Sequence, residues 1–231
     1  MARMRSRAAV PILAIGGVAV TILLTIAVTS GVSHGFDAAV IGFVRSAALN
    51  GPLGPLRWVT ELGSTWAVTL VAVLAIVLGI LFGHTLHGLL GALTIGLASL
   101  GNGWFKATIA RSRPDLLEPV LIEPGFSFPS GHSLLSMVAY GVIGVLVIRS
   151  PLPLGVRRGV VAVLAVVVLL VGLSRVWLGV HYPTDVLAGW TAGAVIVLVY
   201  ARVTRSVSPG PVAAAVDADR AAPRSGPPAP G

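Results

Sequence analysis

Six long runs of apolar residues alternate with short polar segments along the 231-residue chain. Each run approaches the 20 or so residues that an α-helix needs to cross the hydrocarbon core of a bilayer. The first three runs contain no Asp, Glu or Arg. The pattern predicts an all-α, polytopic membrane protein with six transmembrane helices in a bundle, over residues 8–29, 66–83, 86–105, 130–148, 156–173 and 185–201.

The segment between the first two runs, residues 30–65, has a different pattern. Phe36 and several other apolar residues stand beside Asp37 and Arg45, which favours a short amphipathic helix at the membrane surface, followed by turns rich in Gly and Pro. Such a helix would shape the entrance for a lipid. A plain surface loop with one partly buried face fits the pattern equally well.

The two ends of the chain differ in character. The first run follows a basic start, as the core of a signal peptide does, but it exceeds the roughly 7 to 15 residues of such a core, so we expect a retained helix. Residues 206–231 are rich in Pro, Ala, Gly and Ser and cannot bury enough apolar surface to fold. We therefore expect one membrane domain over residues 1–205 and a disordered cytoplasmic tail.

Charge placement predicts the orientation. With both termini in the cytoplasm, ten of the sixteen Lys and Arg residues lie inside and six outside, as the positive-inside rule requires for a cytoplasmic membrane protein. Arg45, Arg57 and Arg111 are interpreted as ordinary outer cations. The net charge of +8 comes from residues that flank apolar runs, not from one basic domain, so we expect no nucleic-acid partner.

Three short polar segments, residues 106–114, 129–132 and 174–185, fall at particular helix ends. If the six helices alternate in direction, the end of the third, the start of the fourth, the end of the fifth and the start of the sixth share one membrane face. Polar groups scattered by chance would lie on both faces. The convergence predicts a functional site, at the extracytoplasmic rim in the orientation above.

The first two segments are typical of anion binding. Lys106 and Arg113 are seven residues apart, so a continuous helix would direct both side chains the same way, with Pro114 ending it. Ser130 is a natural N-cap for the fourth helix. Gly131 allows close approach to the backbone, and the amides of a helix start suit phosphate oxygens.

The third segment adds groups for proton transfer and nucleophilic attack. Arg175 can donate two hydrogen bonds to a phosphate. His181 and Asp185 are four residues apart, and because Pro183 disfavours a continuous helix, we expect them to pair where loop becomes helix. His132 supplies a second imidazole. Each motif alone has a structural explanation, whereas together they predict a phosphoryl-transfer site.

These motifs resemble the signatures of the type-2 phosphatidate phosphatase, or lipid phosphate phosphatase, superfamily. The six-helix layout is similar to its membrane branch, which includes bacterial undecaprenyl pyrophosphate phosphatases. The matching signatures, in chain order and without a substitution, are Lys106 with six residues before Arg113-Pro114, then Pro129-Ser130-Gly131-His132, then Ser174-Arg175 with five residues before His181 and three more before Asp185.

The resemblance implies a set of roles. His181 would be the nucleophile that forms a phosphohistidine, Asp185 would orient it, and His132 would be the general acid and then the base. Vanadate would inhibit as a mimic of the transferring group. The phosphate-binding residues would be Lys106, Arg113, Ser130, Gly131 and Arg175.

No metal or other cofactor is implied. The carboxylates of Asp115, Glu118 and Glu123 lie in one loop without the clustering that a magnesium site needs, and we expect them to be solvated loop charges. The chain has no cysteine, which excludes disulfides and thiolate metal sites.

The substrate is left open among undecaprenyl pyrophosphate, phosphatidylglycerol phosphate and phosphatidate, with the polyprenyl pyrophosphate favoured by analogy alone. Two alternatives remain. One is a lipid phosphotransferase using the same site. The other is an anion-binding or transport protein, which would need charges deep within its spans, whereas these lie at one rim. Membrane lipids are the expected surroundings, and the oligomeric state is not predicted.

Overall fold

The computed structural model describes residues 2–48, 54–115 and 123–207. Within these ranges the chain forms eight α-helices and no strand. Residues 208–231 of the predicted tail lie outside the described residues. The helices are α1 Ala2–Thr29, α2 His34–Ala48, α3 Gly54–Glu61, α4 Thr65–Leu81, α5 Thr85–Ile109, α6 Gly131–Arg149, α7 Leu154–Trp177 and α8 Pro183–Ser206.

The predicted membrane-spanning helices are present. By length and composition, α5, α6, α7, α8 and residues Val10–Thr29 of α1 are each able to cross a bilayer. α4 has 17 residues and is short for a membrane span. It is long enough to cross a bilayer only together with α3, and the two helices are bent by 46° relative to each other. The prediction of an all-α, multi-pass membrane protein is confirmed.

α5 and α7 extend past the C-terminal ends of their apolar runs, and both extensions carry site residues. α5 includes Lys106 and α7 includes Arg175. α5 ends at Ile109. The next residue, Ala110, caps the helix with left-handed backbone geometry (φ 50°), and its N–H donates to the Lys106 carbonyl at 2.9 Å. Arg113 lies beyond this helix end, so the prediction of one continuous helix from Lys106 to Arg113 is wrong.

The centre of the bundle is α6, which contacts α4, α5, α7 and α8. Its residues Val138, Ala139 and Val142 are completely buried. The starts of α6 and α8 touch at Gly189, where an added Cβ would lie 2.7 Å from the Ser130 carbonyl oxygen. Only glycine allows this approach, which brings the second and third sequence motifs together.

The segment between the first two spans is helical. The prediction of a short helix is confirmed by α2, which buries Asp37 and Ile41 and exposes Phe36 and Phe43. It contacts α7 and α8. A second helix, α3, packs against α7 where the sequence predicted only turns and loop; residues 49–53 lie outside the described residues.

Candidate active site

The predicted convergence of polar segments occurs at one end of the bundle, called here the site end, where α5 and α7 finish and α6 and α8 begin. The backbone N–H of Ser130, just before α6, donates to the Asp185 carbonyl in the first turn of α8 at 3.0 Å. Arg113 reaches the Val180 carbonyl beside α8 at 2.8 Å. These contacts join all three motifs.

The His181 and Asp185 side chains are paired, as predicted, where loop becomes helix. His181 Nδ1 lies 3.3 Å from Asp185 Oδ2, and both side chains are fully enclosed. The same oxygen accepts hydrogen bonds from the Ser127 hydroxyl and from the Tyr182 N–H at 3.0 Å. A carboxylate at Nδ1 favours the tautomer with its proton on that nitrogen, which leaves Nε2 unprotonated and its lone pair able to act as an acceptor.

The protonation state of His181 suits a nucleophile. Burial lowers the pKa of His181 to about 4, against the opposing hydrogen bond and charge of Asp185. The imidazole is therefore neutral near pH 7. Its Nε2 lies 3.3 Å from Arg113 Nη1, so the lone pair faces the cluster of cations.

Arg175 is the most enclosed cation of the site. Its side chain has no exposed surface, and its Nη1 donates to Thr60 Oγ1 of α3 at 2.7 Å. Its Nε is also buried and has no hydrogen-bond partner among the described residues. A buried donor without an acceptor is rare in folded proteins, and it is suited to the oxygen of a bound anion.

Glu123 joins the same cluster. One of its oxygens pairs with Arg175 Nη2, and the other lies 3.3 Å from Arg113 Nη1. Burial raises the pKa of Glu123, but the ion pair with Arg175, together with the charge of Arg113 and other nearby groups, holds the pKa below its ordinary value. The prediction of a solvated loop charge is wrong for Glu123; it holds for exposed Asp115, and Glu118 lies outside the described residues.

Lys106 and Arg113 both bind the backbone that follows Glu123. Lys106 Nζ donates to the Phe126 carbonyl at 2.7 Å, and Arg113 Nε donates to the Gly125 carbonyl at 3.1 Å. The two cations thus meet through this segment and not through a shared helix face. A bound phosphate would compete with these carbonyl oxygens for the hydrogens of Lys106 and Arg113.

The start of α6 has the predicted cap. Ser130 is buried, and its hydroxyl oxygen accepts the Ser133 N–H at 3.4 Å. A Cβ on Gly131 would lie 3.0 Å from Asn102 Nδ2, so glycine keeps the helix start close to α5. Helix starts present N–H groups without acceptors in their own helix, as phosphate binding requires.

His132 lies in the first turn of α6, beside the break between α3 and α4. A Cβ on Gly63 would lie 3.1 Å from His132 Cδ2 and 2.6 Å from a Val171 methyl carbon. The bend between α3 and α4 therefore makes room for this imidazole. Thr60 of α3 accepts a hydrogen bond from Arg175. The bend and this contact show that residues 54–65 help to build the site.

Besides Glu123, two more charged residues of the site end were missed by the sequence interpretation. Arg111 Nη1 lies 2.5 Å from Asp185 Oδ1, and its Nη2 lies 2.7 Å from Asp37 Oδ2 on α2. Arg111 was interpreted as an ordinary outer cation, which is wrong. Its position two residues before Arg113 was visible in the sequence, but spacing alone does not reveal a partner 74 positions away.

No metal site accompanies these groups in the described ranges, where no three His, Cys, Asp or Glu side chains are grouped as ligands. The donors that converge are instead cationic or N–H groups. They are the Lys106 ammonium, the Arg113 and Arg175 guanidinium groups, and the first turn of α6. This set fits an oxyanion with several negatively charged oxygens.

The fold and the site together define a class, a multi-pass helical membrane protein in which one end of the bundle gathers a His–Asp pair and four cations. The chain belongs to the PAP2 superfamily, because the sequence profile of that superfamily matches residues 87–208, just over half of the chain. The resemblance noted from the three motifs is thereby confirmed.

Two named relatives match part of the chain. The chain is 42% identical over 113 residues to phosphatidylglycerophosphatase B of Bacillus subtilis, which is 48% of this chain and 55% of the relative. It is 38% identical over 94 residues to an undecaprenyl-diphosphatase of Sulfolobus acidocaldarius, which is 38% of this chain and 41% of the relative. The chain thus spans about half the length of these relatives.

The likeness in three dimensions is more extensive. The crystal structure of a transmembrane PAP2-type phosphatidylglycerolphosphate phosphatase from Bacillus subtilis superposes with a TM-score of 0.76 at 28% sequence identity. It covers 84% of this chain and 97% of that one. The shared fold therefore includes helices that precede the matched residues 87–208.

Proposed function

We propose that the protein is a membrane phosphatase that hydrolyses a lipid phosphate or pyrophosphate through a phosphohistidine on His181. One observation carries the proposal: the His181 imidazole has Nδ1 on Asp185 and Nε2 directed at Arg113. A buried, neutral imidazole that faces a cation cluster is equipped to attack an anion held by those cations. The names of the relatives support the same class of reaction.

In the first step, Nε2 of His181 attacks phosphorus in line with the leaving oxygen. The new N–P bond forms as the P–O bond breaks, and His132 donates a proton to the leaving oxygen. Asp185 keeps the proton on Nδ1 and stabilises the positive charge that develops on the imidazole.

In the second step, water attacks phosphorus. His132, now neutral, accepts a proton from that water, and the N–P bond breaks to release inorganic phosphate. The electron pair returns to Nε2 of His181, and His132 is again protonated. The cycle is complete with no group consumed, and it calls for no metal or other cofactor.

The cations perform most of the stabilisation, because phosphoryl transfer is catalysed mainly by positioning and charge. Arg175 would place its orphan Nε and its two Nη groups around the equatorial oxygens. Lys106, Arg113 and the α6 start, with Ser130 as cap and Gly131 as the point of approach, would complete the cradle. Glu123 would withdraw from the guanidinium groups as the phosphate enters.

The rim position of the site suits a substrate whose headgroup leaves the bilayer while its chains stay within it. We propose phosphatidylglycerol phosphate, undecaprenyl pyrophosphate or phosphatidate as the substrate class. The arginine distribution supports a cytoplasmic membrane location with cytoplasmic termini and an extracytoplasmic site.

The test is phosphate release by purified protein in detergent with chelator present. Wild type, His181→Ala and the matched control His84→Ala are compared on the three lipids, with and without vanadate. We expect release by wild type and control, inhibition by vanadate, and none by His181→Ala. Folded wild type that leaves all three lipids intact would refute the proposal.

A second arm tests the intermediate. Radiolabelled substrate is mixed with enzyme and quenched in alkali, which preserves phosphohistidine. We expect protein-bound label in wild type and a larger amount in His132→Ala, whose second step lacks its base. Label that persists in His181→Ala would show that another residue is the nucleophile.

A further inference from the structure

We propose that Arg111 is a positioning residue for the reaction, acting through Asp185, and that Asp37 of α2 holds Arg111 in place. The inference rests on the proposed function, since it explains how Asp185 is kept able to orient the nucleophile. Arg111 occupies one of the six unspecified positions between Lys106 and Arg113 of the first motif, and Asp37 lies outside all three motifs.

The two oxygens of the Asp185 carboxylate have separate partners. Oδ2 is 3.3 Å from His181 Nδ1 and accepts the Tyr182 N–H at 3.0 Å. Oδ1 is 2.5 Å from Arg111 Nη1. A carboxylate can rotate about its bond to Cβ, and a strong, charged hydrogen bond to the oxygen remote from His181 fixes that rotation.

Arg111 is itself fixed on several sides. Its Nη1 also donates to Thr184 Oγ1 at 2.9 Å, and its guanidinium carbon lies 3.9 Å from the centre of the Tyr182 ring. Its Nη2 is paired with Asp37 at 2.7 Å. The side chain is only 8% exposed, so its orientation is set by these partners and not by solvent.

Asp37 is an anchor supplied by another helix. Its Oδ1 accepts the Thr184 N–H at 3.1 Å, and its Oδ2 accepts the Thr184 hydroxyl at 2.8 Å as well as Arg111. Thr184 lies in the first turn of α8, one residue before Asp185. α2 therefore holds both the start of α8 and the cation that holds Asp185.

Arg111 also compensates the charge of the buried Asp185 carboxylate. The Asp185 side chain is 0% exposed, and an uncompensated buried carboxylate tends to take up a proton. The Arg111 guanidinium at 2.5 Å supplies the compensating charge that keeps Asp185 ionised. An ionised Asp185 is the form that accepts the Nδ1 hydrogen of His181 and leaves Nε2 free for attack.

A positioning role and a purely structural role predict different kinetics. Loss of a structural tie lowers the amount of folded protein. Loss of positioning lowers kcat and leaves KM nearly unchanged, because Lys106, Arg113 and Arg175 still bind the phosphate. If Arg111 acts through Asp185, substituting Arg111 should no longer lower kcat in a variant whose residue 185 cannot orient His181.

The kinetic test compares Arg111→Gln, Arg111→Lys, Asp185→Asn and the double variant Arg111→Gln with Asp185→Asn, on the lipid that wild type hydrolyses best. We expect Arg111→Gln to lower kcat about 100-fold with KM within about threefold of wild type, as for a misplaced catalytic group. Arg111→Lys should recover part of the loss. In the Asp185→Asn background, Arg111→Gln should cost less than about threefold, because residues acting as a unit are not additive.

Arg149→Gln is the matched control. Arg149 donates to Thr204 Oγ1 and to the Ala201 carbonyl, each at 2.6 Å, and so fastens the other end of α8. The same substitution there should leave kcat close to wild type. A full 100-fold loss from Arg111→Gln in the Asp185→Asn background would overturn the inference.

A measurement without turnover separates this inference from the proposed function. The chain has five histidines, so ¹⁵N-histidine NMR in detergent can follow His181, assigned by its loss in His181→Ala. We expect the Nδ1-protonated form in wild type and Arg149→Gln, and a shift away from it in folded Arg111→Gln. An unchanged His181 signal would refute positioning by Arg111, whereas wild type inactive on every lipid would refute the proposed function alone.

Discussion

Two arginines fasten α8 near its two ends, and their partners differ in kind. Arg149, at the end opposite the site, donates to the Thr204 hydroxyl and the Ala201 carbonyl, which are neutral acceptors. Arg111, at the site end, is paired with the carboxylates of Asp185 and Asp37. A buried carboxylate partner adds a desolvation cost of its own, which a neutral acceptor avoids. The difference indicates that one end is built for packing and the other for charge chemistry.

The helices show the same contrast. Far from the site, α4 and α5 approach so closely at Gly88 that an added Cβ would lie 2.5 Å from the Ala75 carbonyl oxygen. At the site end, Arg175 retains a buried Nε without a partner among the described residues. Close packing elsewhere stabilises the bundle and offsets the cost of a buried donor without an acceptor at the site end.

The largest expected effect comes from the shared helix α8. Asp185→Asn should lower kcat on the order of 10³- to 10⁴-fold, because a neutral amide no longer holds the Nδ1 proton of His181. Thr204→Val, which removes a hydroxyl at the packing end of α8, should leave kcat unchanged. Steady-state phosphate release measures both. Equal losses from the two substitutions would contradict the contrast between the ends.

Replacing arginine by lysine tests the two ends with one chemical change. Arg175→Lys should lower kcat/KM about 100-fold, since lysine cannot reproduce the planar array of donors around a phosphate. Arg149→Lys should cost less than about threefold, because a single ammonium can still reach neutral acceptors. The measurement is kcat/KM of each variant relative to wild type. Comparable losses in the two variants would show that Arg175 has only a structural role.

The low pKa of His181, about 4, makes the stability of the site end depend on pH. The unfolded chain, with a histidine pKa near 6.5, binds the proton more tightly than the folded one. Stability is therefore lost as pH falls from about 6.5 towards 4, by about 2 kcal/mol at pH 5. Between pH 7 and pH 5, the free energy of unfolding of His181→Gln should fall by about 2 kcal/mol less than that of wild type, as measured by thermal unfolding. A variant with the wild-type pH dependence would refute the neutral, buried imidazole.

Glu123 should give the smallest effect. Glu123→Gln weakens an ion pair that occupies Arg175 and Arg113, so inorganic phosphate should inhibit about fivefold more strongly, the equivalent of about 1 kcal/mol. Asp115→Asn removes the same charge from an exposed loop position and serves as the control. The inhibition constant measures the difference. Identical values for both variants would mean that Glu123 does not compete with phosphate.

Much of the site followed from local sequence signals. Ser130 caps α6, and His181 pairs with Asp185 where loop becomes helix, as predicted. Both arrangements depend on residues within one turn of each other, which spacing describes well. The catalytic and phosphate-binding roles remain proposals that the experiments above address.

The prediction that Lys106 and Arg113 share one helix face was wrong, because local spacing describes only neighbours within a continuous helix. Seven-residue spacing describes a shared face only if the helix continues, and α5 stops at Ile109. The two cations still meet, because both bind the backbone at Gly125 and Phe126. Their convergence depends on how a distant segment folds back, which spacing does not encode.

The amino-acid sequence by itself determined the membrane class, the approximate spans and the motif residues at one end of the bundle. Hydropathy and motif spacing are properties of neighbouring residues, so they survive without a fold. Only the tertiary structure decided that Glu123 lies against Arg175 and that Arg111 joins Asp37 to Asp185. Those ion pairs link residues 52 and 74 positions apart, and such partners are chosen by how helices pack.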